Sequence, residues 1–154
     1  MIDEKSYMFN PFRISQASDE AIINSYTNIQ NSLAVDPETG FEIATNIERY
    51  ANMGYLLGEM IARYKEQYNN LKSSITIQKS KQIYKQRDIW IREHNEKAPA
   101  MSYFEALAEE FVQKETAELG QMDSNIDRFK NALSSITEKQ NALKKKLEIM
   151  RYEL

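Results

Sequence analysis

EKAPAMS, residues 96–102, is the stretch on which the fold turns. Ala98 precedes Pro99, and a proline ring disfavours helical geometry at the residue before it. On both sides the sequence reads as helix. Upstream, Ile47, Tyr50, Gly54, Leu57, Ile61, Tyr64, Tyr68, Leu71 and Ile75 step by alternating three and four residues, which is a heptad seam. The same register then lands on Gln78 and Gln82, and the apolar series ends there. Downstream, Leu119, Met122, Ile126, Phe129, Leu133, Ile136, Gln140, Leu143, Leu147, Met150 and Leu154 form a second seam with one polar member. A lone polar residue on a seam can fix register or oligomer state. Ser102 stands three residues before Glu105, the spacing of a capping box, so the second helix is expected to start there, with a bend at Gly120.

The expected fold class is therefore all-α: a long antiparallel, coiled-coil-like helical hairpin, 41–154, with its turn near 97–102. Residues 1–40 are expected to form an N-terminal arm and a short helix. Each long helix, 41–96 and 102–154, would measure roughly 80 Å. A tight turn between equal helices places residue i opposite about residue 198 minus i. Charge agrees with an antiparallel pairing: residues 72–97 hold seven bases and three acids, net +4, while 105–127 hold seven acids and one base, net −6. Two thin rods enclose little core, and small cores rarely offset chain entropy unaided, so a homo-oligomer is expected. Met53, Leu56 and Met60 widen the apolar face beyond one partner. Gly54, Leu57, Gly58, Ile61, Leu133, Leu143 and Leu147 are the candidate oligomerisation residues. In GYLLG, residues 54–58, two glycines share one helix face; they fit close packing inside the hairpin, a contact between subunits or a bend.

Nearer the N-terminus, residues 1–16 show no clear period and contain Pro11, which reads as an arm. Its Tyr7, Phe9 and Phe12 would cover an apolar surface elsewhere. A helix is expected from about Ser18, with Asp19 and Glu20 in the first turn complementing its dipole. VDPETG, residues 35–40, reads as a turn.

Four glycines, three prolines and no period-two alternation argue against sheet in these 154 residues. Cysteine is absent, which removes disulfides, thiolate nucleophiles and cysteine zinc sites together. His94, the single histidine, has charged neighbours and reads as a solvated surface residue. The carboxylates are spread along helix faces. There is no glutamate-x-x-histidine pair, no Walker loop and no nucleophile elbow. The expectation is a protein that is not an enzyme and needs no cofactor or metal. MIDEKSYMFN has no apolar core of signal-peptide length, and no apolar run is long enough to span a bilayer. A soluble, cytoplasmic protein without a membrane partner is expected.

KSKQIYKQRDIWIRE, residues 79–93, occupies the place where the first seam fails. From Lys72 to Arg87 there are five bases and no acid. Lys79, Lys81, Lys85 and Arg87 are interleaved or followed by Tyr84 and Trp90. Cations that follow phosphates, with flat rings on which bases stack, are what single-stranded nucleic acid binding requires. The alternative is a solvated basic face pairing with the acidic second helix, with Trp90 buried beside Ile91 and Tyr103. A second basic run, LKKKLEIMRYEL at 143–154, reads as a charged coiled-coil flank.

This layout resembles the UvsY family, the recombination mediators of T-even-like phages, over roughly residues 45–154. The resemblance consists of RYANMGYLLGEMIARYKEQYNNLKSSI, the basic run, a short turn and a long second helix ending in KKKLEIMRYEL. The family's leucine-lysine-alanine-arginine signature has Tyr84-Lys85-Gln86-Arg87 as its counterpart, matching at both charged positions. The family continues with an acid and aromatics, whereas this chain has Asp88, Ile89, Trp90 and Ile91. The resemblance implies a homo-oligomeric ring that binds single-stranded DNA, loosens a coat of single-strand-binding protein and helps a RecA-like recombinase to load, in a host cell cytoplasm. Two other classes fit the same residues: a structural or scaffolding coiled coil of a virion, and an inhibitor or adaptor that grips one protein through the aromatic arm Tyr7 to Phe12 and the acidic faces.

Overall fold

In a computed structural model, residues 11–153 are described. They form five helices and no strand: α1 (Pro11–Gln16), α2 (Asp19–Ser32), α3 (Gly40–His94), α4 (Met101–Phe111) and α5 (Gln113–Tyr152). The all-helical class read from the sequence is the class observed. Tyr7, Phe9 and Leu154, and the side chain of Phe12, lie outside the described residues.

The helix ends show which local signals acted. The helix expected from about Ser18 is α2, and Ser18 caps it, its Oγ accepting from the Ala21 amide at 3.1 Å. At α3 a complete capping box forms that the sequence reading passed over. Thr39 Oγ1 accepts from the Glu42 amide at 3.1 Å, and Glu42 Oε2 accepts from the amides of Glu38 and Thr39 at 3.0 and 3.3 Å. The box expected at Ser102 does not form. The helix starts one residue earlier, with Ala100 as its cap and no side-chain cap bond, and the Ala100 carbonyl accepts from Tyr103 at 3.0 Å. Ser102 is thereby already inside the first turn.

The interruption expected at Gly120 falls instead at Val112. Phe104, Ala108 and Val112 are all at most 1 % exposed and recur every four residues. At 3.6 residues per turn such a series drifts by about 40° per step. Val112, at φ −100° and ψ 16°, resets the helix while its carbonyl still accepts the Thr116 amide at 2.9 Å.

The chain divides into two compact units, Met1–Arg63 with Asp127–Leu154, and Tyr64–Ile126. In the first, α2 adds a layer to the early part of α3 and the late part of α5. Ile22, Ile29, Ile43, Met53, Leu56, Leu57, Met60, Ile61 and Ile136 are buried. Polar ties hold the turns to this core. Asn46, 2 % exposed, accepts from the Ala34 amide at 3.0 Å and donates to the Ala34 carbonyl at 2.9 Å. Arg49 donates to the Ser32 carbonyl. Part of the expected N-terminal arm is fixed here as well: α1 buries Ile14, and Arg63 donates to the carbonyls of Ile14 and Ser15 at 3.0 and 3.3 Å. The same guanidinium pairs with Asp19 at 2.7 Å and Glu59 at 3.0 Å, and the Asp19 bond holds its pKa above the usual value.

Register departs from the expected value in both units. The expectation sets residue 151 opposite Ile47, but Gln140 is the residue that donates to the Ile47 carbonyl, at 3.2 Å. A Cβ on Gly54 would lie 3.5 Å from Leu133, and Lys146 reaches the Pro37 carbonyl at 2.7 Å. In the second unit Lys79 meets Glu109 rather than residue 119. The reason lies in residues 95–100, which carry no helix. Extended chain advances about 3.3 Å per residue against 1.5 Å in a helix. Six such residues retrace more of α3 than six helical ones would, and every later pairing moves with them.

Candidate nucleic-acid interface

The end of α3 is set by Asn95, whose φ of 49° is left-handed and whose amide closes on the Ile91 carbonyl at 3.1 Å. Asparagine tolerates that conformation better than most residues, and it stops the helix. Arg92 and His94 occupy the last turn, where positive charge suits the helix dipole. With Lys79 opposite Glu109, the last turns of α3 run past the start of α4. Only the end of α3 is therefore without a facing helix; Gln78 and Gln82, where the apolar seam ends, still lie opposite α4.

Successive helical residues turn by about 100°, which sorts the candidate site residues into three groups. Lys81 and Lys85, with Arg92, fall on one ridge within about 40° of each other, and all three are exposed. Asp88 sits at the edge of that ridge. Arg87, also exposed, lies about 160° from Lys85 on the opposite flank. Between the flanks runs the outward stripe Ile77, Tyr84 and Ile91, which are 54, 62 and 41 % exposed. Among the described residues no carboxylate lies within ion-pair distance of Lys81, Lys85, Arg87 or Arg92.

Lys79 and Trp90 are placed differently. Lys79 turns toward α4 and pairs with Glu109 at 3.4 Å. Trp90 is half-buried, and its ring stacks on His94 at 4.4 Å between centroids, 13° from parallel. His94 Nδ1 lies 3.0 Å from the Trp90 carbonyl oxygen. One face of the indole is therefore already covered, which leaves Tyr84 as the open ring. The alternative of Trp90 buried beside Ile91 and Tyr103 does not hold, since those neighbours are 41 and 49 % exposed. Arg92 was missed as a ridge member; its signal was its position seven residues after Lys85.

Of the residues assigned to oligomerisation, Leu57 and Ile61 are buried in the first unit, and Gly54 packs against Leu133 of the same chain. Leu133, Leu143 and Leu147 are half-buried, and a Cβ on Gly58 would meet nothing within 4 Å.

Among the described residues, no cluster of three metal-ligating side chains occurs and no helix is long and apolar enough to cross a membrane. No protein-family profile, curated protein or solved structure matches the chain.

Proposed function

We propose that the protein binds single-stranded DNA along the ridge Lys81–Lys85–Arg92, with Tyr84 as the stacking ring, and serves as a recombination mediator. In this reading the two long helices form one antiparallel hairpin and several hairpins assemble into a ring. The ring holds a strand freed from single-strand-binding protein and passes it to a RecA-like recombinase. No active site or cofactor is required, because the recombinase does the chemistry.

One observation supports this reading above the rest: three cations stand exposed on one ridge with no carboxylate among the described residues in ion-pair range, beside an exposed tyrosine. Ion pairs with the acidic helix would have consumed the charge, and among the described residues only Lys79 makes one. Uncompensated cations at helical spacing match a flexible polyanion, and a flat ring next to them accepts a base. The resemblance to the UvsY family supplies the mediator role and the partners.

The test is binding of a fluorescent oligonucleotide to Lys81→Ala/Lys85→Ala, followed by anisotropy across a salt series. The expected result is affinity lower by at least about tenfold, with a log–log salt slope shallower by roughly 1.4 for two lost single-strand phosphate contacts. Unchanged affinity and slope in a folded variant would end this reading.

A further inference from the structure

The outward side of α3 in the second unit carries a seam of its own. Ser73, Ile77, Ser80, Tyr84, Arg87 and Ile91 step by four, three, four, three and four, which is heptad spacing. Ile77 lies about 160° around the helix from Ile75, the residue buried inside the unit. The seam is therefore turned away from the core, with isoleucine, tyrosine and isoleucine at one heptad position and two serines and Arg87 at the other. Small serines let a second helix approach closely. This seam is separate from the lysine ridge, which lies on its far flank.

We infer that this seam receives the outer face of α4 from a second copy of the chain. Charge selects that occupant. The basic span 72–97 and all of the acidic span 105–127 except Asp127 belong to the same unit, yet Lys79–Glu109 is their single ion pair among the described residues. Glu105, Glu110 and Glu118 are exposed with no cation in range. The outward side of α4 presents Tyr103, Ala106 and Glu110 at helical spacing, with Phe111, 58 % exposed, at its edge. Glu110 beside Tyr103 is thus complementary to Arg87 on a partly aliphatic seam, and because both faces are turned away from the unit's core they do not meet within one chain.

The two faces differ from each other, so the contact is heterologous, and repeated heterologous contacts build rings or filaments. The inference deepens the oligomer of the proposed function by naming its surface. It also reassigns Arg87 from phosphate to the partner's carboxylates and Tyr84 from base stacking to the partner's α4, leaving Lys81, Lys85 and Arg92 open to DNA in the assembled state.

Light scattering and sedimentation of the full chain test it. Ile77→Ser/Ile91→Ser alters two exposed residues, so helical content by circular dichroism should be unchanged while self-association weakens on the order of a hundredfold. Arg87→Glu should also weaken association, and Arg87→Glu/Glu110→Arg should restore it. Wild-type monomer at every concentration, wild-type association in the isoleucine variant, or failure of the charge swap to restore assembly would each overturn the inference. Lys81→Ala/Lys85→Ala separates the two proposals: it should lose DNA and still assemble. Assembly lost with DNA binding intact in that variant would count against both assignments.

Discussion

Leu56, Leu57, Met60 and Ile61 are all buried within two turns of α3 in the first unit, whereas from Tyr64 to His94 the same helix buries only Ile75. The two stretches are comparable in helix-forming character and differ in what surrounds them. In the first unit α2 supplies Ile22 and Ile29 as a further layer, and α3 can bury more than one stripe. In the second, α3 meets α4 and the start of α5, and its other side keeps Ile77, Tyr84 and Ile91 in solvent. Amphipathic width is thus satisfied inside the chain where a third layer exists and left outside where none does. The polar ties follow the same division: Asn46 and Arg63 fasten turns and helix ends to the first unit, while the second has one exposed ion pair.

The largest way to break this contrast is at Phe104. It is 1 % exposed and, with Ala108, Val112 and Ile75, makes up most of the second unit's small core. Phe104→Ala should cost about 3–5 kcal/mol, since a thin core has few neighbours to collapse into the cavity. Hydrogen exchange should show amides of Tyr64–Ile126 losing protection first, with those around Leu56–Ile61 retained. Uniform loss along the chain would mean that the two units open as one.

A smaller effect is expected from the polar side of the contrast. Asn46→Ala removes both partners of Ala34, and the stranded amide and carbonyl should cost about 2–3 kcal/mol, read from the urea midpoint. The loss should appear in the first unit, where the 33–39 turn joins α2 to α3. A change below about 0.5 kcal/mol would show that water replaces the side chain freely and that the bracket does not define the turn.

These residues also mark what the sequence reveals. Both seams, the helix start near Ser18 and the 35–40 turn were legible because each depends on spacing within one helix or on one residue's own geometry. The register was not. It depends on how far residues 95–100 travel, and a proline announces a break without giving the length of chain it leaves extended. Capping boxes are equally ambiguous: Thr39 with Glu42 and Ser102 with Glu105 have the same spacing, and only the first is seated at a helix start. The basic stretch was visible as composition. Its separation into a lysine ridge, an outward seam and an inward Lys79 required the direction of the core, which a single helix pattern does not fix.

The smallest effect concerns the same capping box and gives the contrast its electrostatic measure. Amide donors from Glu38 and Thr39 hold the Glu42 carboxyl below its usual range. A depressed carboxylate adds stability that is complete above its unfolded pKa, near ~4.3, and is lost as pH falls through the lower folded value. Glu42→Gln keeps an acceptor but not the charge, so it should be slightly less stable than wild type at pH 7, with the gap closing on acidification below about pH 4. Urea midpoints at neutral and acid pH measure it. A gap that persists in acid would trace the effect to altered geometry rather than to the carboxylate. The effect ranks below that of Asn46 because Glu42 is fully exposed and water competes for its donors, whereas the Ala34 groups meet a side chain enclosed by the first unit's core.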